Sequence, residues 1–280
     1  MIDDHSLSER IIRLALEEDI GLGDLTTTSV VDPDSVGKAS LVTRRELVLA
    51  GLPVFKRVFH CVSPDIVFKD AFGEGDVVPA DKEVTLLSGP LAALLTAERT
   101  ALNFLQRMSG IATLTRQFVE QIGPLKAKIL DTRKTAPGHR LFDKYAVRIG
   151  GGVNHRFGLF DGVLIKDNHI AAAGSITRAV EQAKKGVPHT IRIEVEVEDM
   201  EGAKEALAAG ADIILLDNMH PSRMAEVVRM INGKIKVEAS GNMTIDRIKE
   251  VAQTNVDFIS VGALTHSASA ADFSLEVVPE

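Results

Sequence analysis

The sequence predicts an α/β protein in two parts, the second of them a β/α barrel. Three observations point there. From residue 128 onward, short β-branched runs alternate with helix-period runs, and the last three strand-to-strand steps take about 20–25 residues, the period of a βα unit with parallel strands. Strand interiors such as Ile213-Ile214-Leu215-Leu216 are apolar throughout, as strands covered on both faces require. Nearly every strand candidate then ends in polar, charged or glycine residues: Asp131-Thr132-Arg133-Lys134, Lys166-Asp167-Asn168, Glu194 and Glu196, Asp217-Asn218, Glu238-Ala239-Ser240-Gly241, and Gly262. A barrel gathers all its strand ends into one ring, whereas a doubly wound sheet would leave several of them far from its crevice. The barrel is therefore favoured. Six strands are evident rather than eight, so either two are disguised or the barrel is incomplete.

The elements follow in order. Ser6-Leu7-Ser8-Glu9 has the capping-box pattern and opens an amphipathic helix to about Asp19, which Gly21-Leu22-Gly23-Asp24 stops. Residues 38–49 carry strand-like stretches, 54–62 read as helix, and two strand candidates flank the Gly73-Glu74-Gly75-Asp76 turn. Residues 90–121 have helical period, with a break expected near Ser109-Gly110, and join the halves. The expected boundary falls at 1–110 against 111–280, with the last residues candidates for packing back on the first part. Beyond it the strand candidates are Lys128–Asp131, Gly162–Lys166, Ile191–Glu196, Asp212–Asp217, Ile235–Ala239 and Phe258–Val261. Helices are expected at 141–149, 172–185, 199–209, 221–231 and 244–253.

Composition excludes several functions. With 280 residues the chain is long enough to bury a large core without a disulfide or structural metal. A net charge of −7, eleven Phe, one Tyr and no Trp give no reason to expect nucleic acid. The lone Cys61, in the apolar run Val58-Phe59-His60-Cys61-Val62, is expected to be a core thiol and suits a reducing cytoplasm. The polar, acidic start is unlike a signal peptide, and no apolar run approaches the ~18 residues of a membrane span.

The distribution of charge says more than its sum. Residues 131–169 hold seven Arg or Lys against four Asp, with His139, His155 and His169 besides. A basic stretch at the strand ends of an acidic protein points to a small anionic ligand, and Arg is the side chain suited to carboxylate or phosphate. Arg133, Lys134 and Lys166 are the candidates; Lys144 and Arg148, spaced i,i+4, read instead as a solvated helix face. Glu196 and Asp217 end consecutive strands, where two carboxylates can hold Mg²⁺, bind ribose hydroxyls or stabilise positive charge. Glu194 shares a strand face with Glu196, and the pattern does not choose between them. Ser240-Gly241-Asn242 and Val261-Gly262-Ala263 follow the last strands, the place where barrels bind phosphate, and His266 lies close behind. Gly150-Gly151-Gly152 lacks phosphate-loop and dinucleotide spacing and reads as a flexible turn carrying Asn154-His155-Arg156. Zinc-type Cys/His spacing and a Gly-x-Ser-x-Gly elbow are absent from the sequence. The residues by themselves describe a barrel enzyme for a polyanionic substrate, such as a sugar phosphate beside a carboxylated acceptor.

Joined in order, the motifs GDLTT (23–27), AERTALNFLQRMSGIAT (97–113), DTRKTAPGHR (131–140), KYAVRIGGGVNHR (144–156), LIKDNHI (164–170), EVEVE (194–198), LLDNM (215–219), EASGN (238–242) and ISVGALTH (259–266) give the chain a specific likeness. It resembles the quinolinate phosphoribosyltransferase family, the decarboxylating nicotinate-nucleotide pyrophosphorylases of NAD synthesis. The resemblance implies an N-terminal open α/β sandwich and a C-terminal incomplete, TIM-like β/α barrel. It implies a homodimer or larger assembly with Arg99 donated across the interface to the substrate carboxylates, and no membrane or nucleic-acid partner. Arg133, Lys134, His155, Arg156 and Lys166 correspond to the quinolinate set, with Lys134 and Lys166 also directed toward phosphates. Glu196 and Asp217 correspond to the pair beside the ribose and Mg²⁺ of phosphoribosyl pyrophosphate, touching the metal directly or through water, and the resemblance favours Glu196 over Glu194. Ser240, Gly241, Gly262 and His266 correspond to phosphate and pyrophosphate contacts. Lys134, Lys166, Glu196 and Asp217 are the implied catalytic residues, with Mg²⁺ and no organic cofactor. His139 and Phe142-Asp143 depart from the pattern between the motifs. Three rival readings stand beside it: a homologous molybdenum-transport-associated protein, a Schiff-base lyase using Lys134 or Lys166, and a binder without turnover.

Overall fold

The computed structural model describes residue 2 and residues 5–279, apart from the side chain of residue 279. In chain order the elements are α1 (Ser6–Ile20), α2 (Leu25–Val30), β1 (Val36–Thr43), β2 (Leu47–Val48), α3 (Leu52–Val62), β3 (Val67–Asp70), β4 (Val77–Val78), β5 (Glu83–Pro90) and α4 (Leu91–Ile122). They continue with β6 (Lys128–Leu130), α5 (Arg140–Ile149), β7 (Val163–Ile165), α6 (Asp167–Ala173), α7 (Ile176–Gly186), β8 (Ile193–Val197) and α8 (Met200–Ala209). The last are β9 (Ile213–Asp217), α9 (Pro221–Ile231), β10 (Lys236–Ser240), α10 (Ile248–Ala252), β11 (Phe258–Ser260), α11 (Ala263–His266) and β12 (Phe273–Pro279). The chain packs as two units, Met1–Arg116 with Thr135–Gly151 and Ser267–Glu280, and Gln117–Lys134 with Gly152–His266.

The first unit is built on an antiparallel sheet in the order β12-β1-β5-β3, with β2 and β4 as a separate pair. Along β1 the buried residues are Gly37, Ala39, Leu41 and Thr43, the period of two that places one face of a strand against a core. Opposite that sheet, α3 buries Phe55 and Phe59, and Phe68 meets both rings edge-on at 6.4 and 6.0 Å. Glu74 accepts the backbone N–H groups of Gly51 and Leu52 at the start of α3 and the Tyr145 hydroxyl, while burial pushes its carboxyl above the usual range.

The second unit is a six-stranded parallel sheet in the order β6-β11-β10-β9-β8-β7. Its alternation decides everything that follows. Val195, Ile214, Leu216, Val237, Ala239 and Ile259 are buried on one face. Residues of the other parity (Leu164, Glu196, Leu215, Asp217, Glu238, Ser240 and Ser260) line a single cavity. Residues following the two edge strands, Arg133 after β6 and Lys166 after β7, reach that same cavity, so the sheet is curled into an incomplete β/α barrel. Turns between strands and helices use ordinary caps: Ser175 accepts the Arg178 N–H at 3.1 Å and Asp199 the Gly202 N–H at 2.8 Å.

Several expectations are corrected. Helix α4 is continuous through Ser109-Gly110. Gly110 is there for close approach, since a Cβ would sit 2.0 Å from the Ser269 carbonyl oxygen, and Ser109 Oγ bonds to Ala50. The cap of α1 is His5, whose Nδ1 accepts the Leu7 N–H, and Glu9 turns instead to Arg57. Asp24 starts the unforeseen α2, and α6 is a second helix ahead of α7. Residues 245–247 form a turn, which shortens α10. Gly150 is less a flexible link than a contact point, because a Cβ there would meet the Ala112 oxygen at 2.5 Å. Lys144 is buried, not solvated, whereas Arg148 is exposed as expected and lies over the Tyr145 ring at 5.8 Å. Cys61 is a free, half-buried thiol facing Glu9 at 3.9 Å, and burial pushes its pKa up.

Candidate active site

The barrel cavity has a volume of about 750 Å³. Arg133, Lys134, His155, Arg156, Lys166, Glu196, Asp217, Ser240, Gly241, Gly262 and His266 all line it. Of the expected site residues, Arg99 belongs to the first unit: it is exposed on α4, and its Nη2 is 3.8 Å from Glu98 Oε1.

The cationic side is assembled by a buried aspartate. Asp131, fully buried just beyond β6, accepts Asn154 Nδ2 at 2.6 Å and the His155 backbone N–H at 2.8 Å. Those bonds fix the segment 154–156 beside the strand ends. Arg156 donates from Nη1 to the Gly162 carbonyl at 2.9 Å, while its buried Nε has no hydrogen-bond partner. Burial, and then the charge of Arg133, lower the Arg156 pKa from its ordinary value. Two guanidinium groups held near each other in this way favour an anion between them.

The opposite side is made by the loops after β9, β10 and β11. Lys166 Nζ forms an ion pair with Glu196. Asn218 takes a left-handed φ of 52°, donates to Asp217 at 2.8 Å, and accepts from Asn242 Nδ2 at 3.1 Å. Gly241, at φ 95°, lies so close that a Cβ would be 2.2 Å from Asn218 Oδ1. Arg247 donates to the Met219 and Gly241 carbonyls at 3.1 and 3.4 Å and so ties the two loops together. At Gly262 a Cβ would come within 3.1 Å of His266 Nε2 and 3.2 Å of Lys134 Cδ, and the Thr265 hydroxyl donates to the Lys134 carbonyl at 2.8 Å.

Below the rim His155 and Glu194 meet Glu238, to which the motifs gave no role. His155 Nε2 is 3.1 Å from Glu194 Oε2 and 3.8 Å from Glu238 Oε1. The choice between Glu194 and Glu196 is thereby resolved into two places: Glu196 is at the mouth with Lys166, and Glu194 is buried beneath it with His155. Parity along β8 and β10 was the available signal, since Glu194 and Glu238 precede Glu196 and Ser240 by two residues. Burial is what that signal could not supply.

A cation-rich side facing carboxylates and glycine turns across one cavity is suited to an acidic acceptor and a phosphorylated donor. Comparison with known proteins agrees. Residues 24–109 match the model for the quinolinate phosphoribosyl transferase N-terminal domain, and residues 111–276 match that for the C-terminal domain. The chain belongs to the quinolinate phosphoribosyltransferase family. Among its relatives in that family is a probable nicotinate-nucleotide pyrophosphorylase [carboxylating] of Bacillus subtilis, 43% identical over 273 residues, which span 98% of this chain and 94% of that one. A chloroplastic nicotinate-nucleotide pyrophosphorylase [carboxylating] of Arabidopsis thaliana is 41% identical over 289 residues, 96% of this chain and 82% of that one. The crystal structure of NadC from Streptococcus pyogenes superposes with a TM-score of 0.94 at 43% identity, covering 97% of this chain and 96% of that one. Family membership accounts for the two-part architecture.

Proposed function

We propose that this cavity transfers the phosphoribosyl group of phosphoribosyl pyrophosphate to quinolinate with decarboxylation, giving nicotinate mononucleotide, pyrophosphate and CO₂ in NAD biosynthesis. The observation that carries the reading is the convergence of Arg133, Lys134, Arg156 and Lys166 with Glu196, Asp217 and the two glycine loops in one cavity. Arg133, Lys134, His155, Arg156 and Lys166 hold the acceptor carboxylates. Ser240, Gly241, Gly262, His266 and Lys134 take the phosphates. The pyridine nitrogen attacks ribose C1 as pyrophosphate departs, and Glu196 and Asp217 stabilise the cationic ribose. Decarboxylation follows transfer, because the quaternised nitrogen stabilises the electron pair left at C2.

The carboxylates of Glu196 and Asp217 are hard oxygen donors on neighbouring strands, and such a pair fits Mg²⁺, held directly or through its water shell. Bound there with the donor, the ion would neutralise charge on the leaving pyrophosphate. The acceptor site is completed by Arg99 from a second copy of the chain. A cytoplasmic setting suits the unpaired Cys61, and among the described residues no helix is long and apolar enough to cross a membrane.

The test is turnover with quinolinate, phosphoribosyl pyrophosphate and Mg²⁺, following nucleotide and CO₂ together, with nicotinate as a parallel acceptor. Equal yields from quinolinate alone support the reading; silence from folded, oligomeric protein overturns it. Mixing inactive Arg99→Ala with inactive Lys134→Ala should restore part of the activity, and no recovery in proven mixed dimers would remove Arg99 from the neighbouring site.

A further inference from the structure

The transfer step leaves one buried acid of the cavity without a role. Glu238 lies on β10, two residues below Ser240 on the same face, lines the cavity and is 2% exposed. Its Oε1 has no hydrogen-bond partner, and neither has Glu194 Oε1. The groups facing it are Glu194 from β8, His155 from the segment held by Asp131, Asp131 itself beyond β6, and Ser260 from β11; Leu215 is its register partner on β9. Above them the cavity carries Arg133, Lys134, Arg156 and Lys166.

The proton inventory of this cluster follows from geometry. His155 Nδ1 accepts the Arg156 backbone N–H at 2.7 Å, so the ring carries its hydrogen on Nε2, directed at Glu194. One N–H cannot satisfy two carboxylates buried side by side, and like charges so placed do not both ionise. Burial, and then the charge of Glu194, push the Glu238 carboxyl well above its usual range. Glu238 is therefore the neutral acid of the cavity floor.

We propose that Glu238 is the acid that protonates C2 of the pyridine ring as CO₂ leaves. The inference rests on the reaction proposed above. In that step the bond between C2 and its carboxylate carbon breaks and its electron pair stays on C2, next to the cationic ring nitrogen. The O–H bond of Glu238 then breaks and its proton forms the C2–H bond. CO₂ departs uncharged, and Glu238 becomes a carboxylate that regains a proton from solvent once product has left. Charge is conserved in the cavity, because a carboxylate lost from the substrate is replaced by one on Glu238. A neutral Glu238 also admits the dianionic acceptor, which an ionised one would repel.

The experiment compares wild type with Glu238→Gln, which keeps the shape and cannot deliver the proton, and with Glu238→Asp. Quinolinate binding is measured by calorimetry and turnover under saturation. The hydrogen-to-deuterium ratio at C2 of the nucleotide is read by mass spectrometry after reaction in an equal mixture of H₂O and D₂O. Glu238→Gln should bind quinolinate within about threefold of wild type and lose roughly 100-fold or more in kcat, the ordinary worth of a general acid. Its C2 isotope ratio should shift, because a different donor discriminates differently, and Glu238→Asp should recover part of the rate with the wild-type ratio. An unchanged ratio, a kcat within about fivefold of wild type, or binding lost in step with kcat would each overturn the assignment. Should Glu238→Gln not fold, Glu238→Asp decides alone: a kcat lowered more than about fivefold with quinolinate binding and the wild-type ratio retained supports the assignment, and a kcat within about fivefold of wild type or a shifted ratio overturns it. Wild-type protein that makes no nucleotide at all would instead refute the reaction on which the assignment stands.

Discussion

Replacing Asp131 by alanine should damage the acceptor side of the site while leaving every residue placed on substrate unsubstituted. Asp131 is fully buried and accepts hydrogen bonds from Asn154 Nδ2 at 2.6 Å and the His155 N–H at 2.8 Å. Each such bond to a charged group contributes about 1.5–3 kcal/mol, so Asp131→Ala should cost at least about 3 kcal/mol. At roughly 2–4 °C per kcal/mol for a protein of this size, Tm should fall by about 6 °C or more. The same loss frees the segment bearing His155 and Arg156. Misplacing a positioning group by about 1 Å can cost 100-fold, so kcat/KM for quinolinate should fall by about that factor. KM for phosphoribosyl pyrophosphate, whose candidate contacts other than Lys134 lie on other loops, should change less than about threefold. Asp131→Asn separates charge from shape: its amide oxygen still accepts the His155 N–H, and Asn154 can turn its amide to present an oxygen. For these two bonds the charge assistance is lost and the geometry kept, so about half the effect should remain. Calorimetric melting and initial rates with each substrate varied are the assays. Asp131→Ala with Tm within about 2 °C and unchanged quinolinate kinetics would refute the claim that this carboxylate holds the segment.

Three further substitutions probe other parts of the molecule. Gly241→Ala puts a Cβ 2.2 Å from Asn218 Oδ1 at a φ of 95°; strain of about 1–3 kcal/mol should raise KM for phosphoribosyl pyrophosphate and leave quinolinate affinity alone. Steady-state kinetics check it, and an equal rise for both substrates would count against it. Arg107→Ala removes the two bonds of 2.8 Å that Arg107 donates to the fully buried Asp143 and leaves it the Ala136 N–H at 3.4 Å. It should cost about 3–5 kcal/mol in denaturant unfolding, with most of that regained on adding Asp143→Leu. The third is a pH dependence of stability. Glu238 holds its proton to higher pH when folded than when unfolded, so its contribution is complete below the unfolded pKa of about 4.3 and declines as pH rises toward the folded value. Glu238→Gln should therefore gain Tm relative to wild type as pH rises, and a difference that stays flat from about pH 4 to 8 would contradict a raised folded pKa.

How legible each feature was depended on the range of the interaction behind it. The βα period of the second half was plain, since alternation of strand and helix needs only local hydrophobic spacing, and each of the six strands falls within two residues of its expected place. Local chemistry misled where packing overrode it. Ser109-Gly110 reads as a helix break, yet Gly110 serves the approach of the Ser269 backbone, a contact 159 residues distant that no window of sequence contains. Lys144 reads as surface from its spacing with Arg148 and is buried.

The sequence by itself determined the parallel-stranded second part, the ring of polar strand ends, and the types of residue that meet a polyanion. Those properties reside in period, composition and order. The tertiary structure alone decided which strand-end carboxylates are at the mouth and which are underneath. Glu194 and Glu196 are equivalent by parity, but curling the sheet leaves Glu196 beside Lys166 and buries Glu194 with Glu238 and His155. Solvent access and the distance between charges determine whether a carboxyl is an ion or an acid, and both are set by strands that are neighbours only in space.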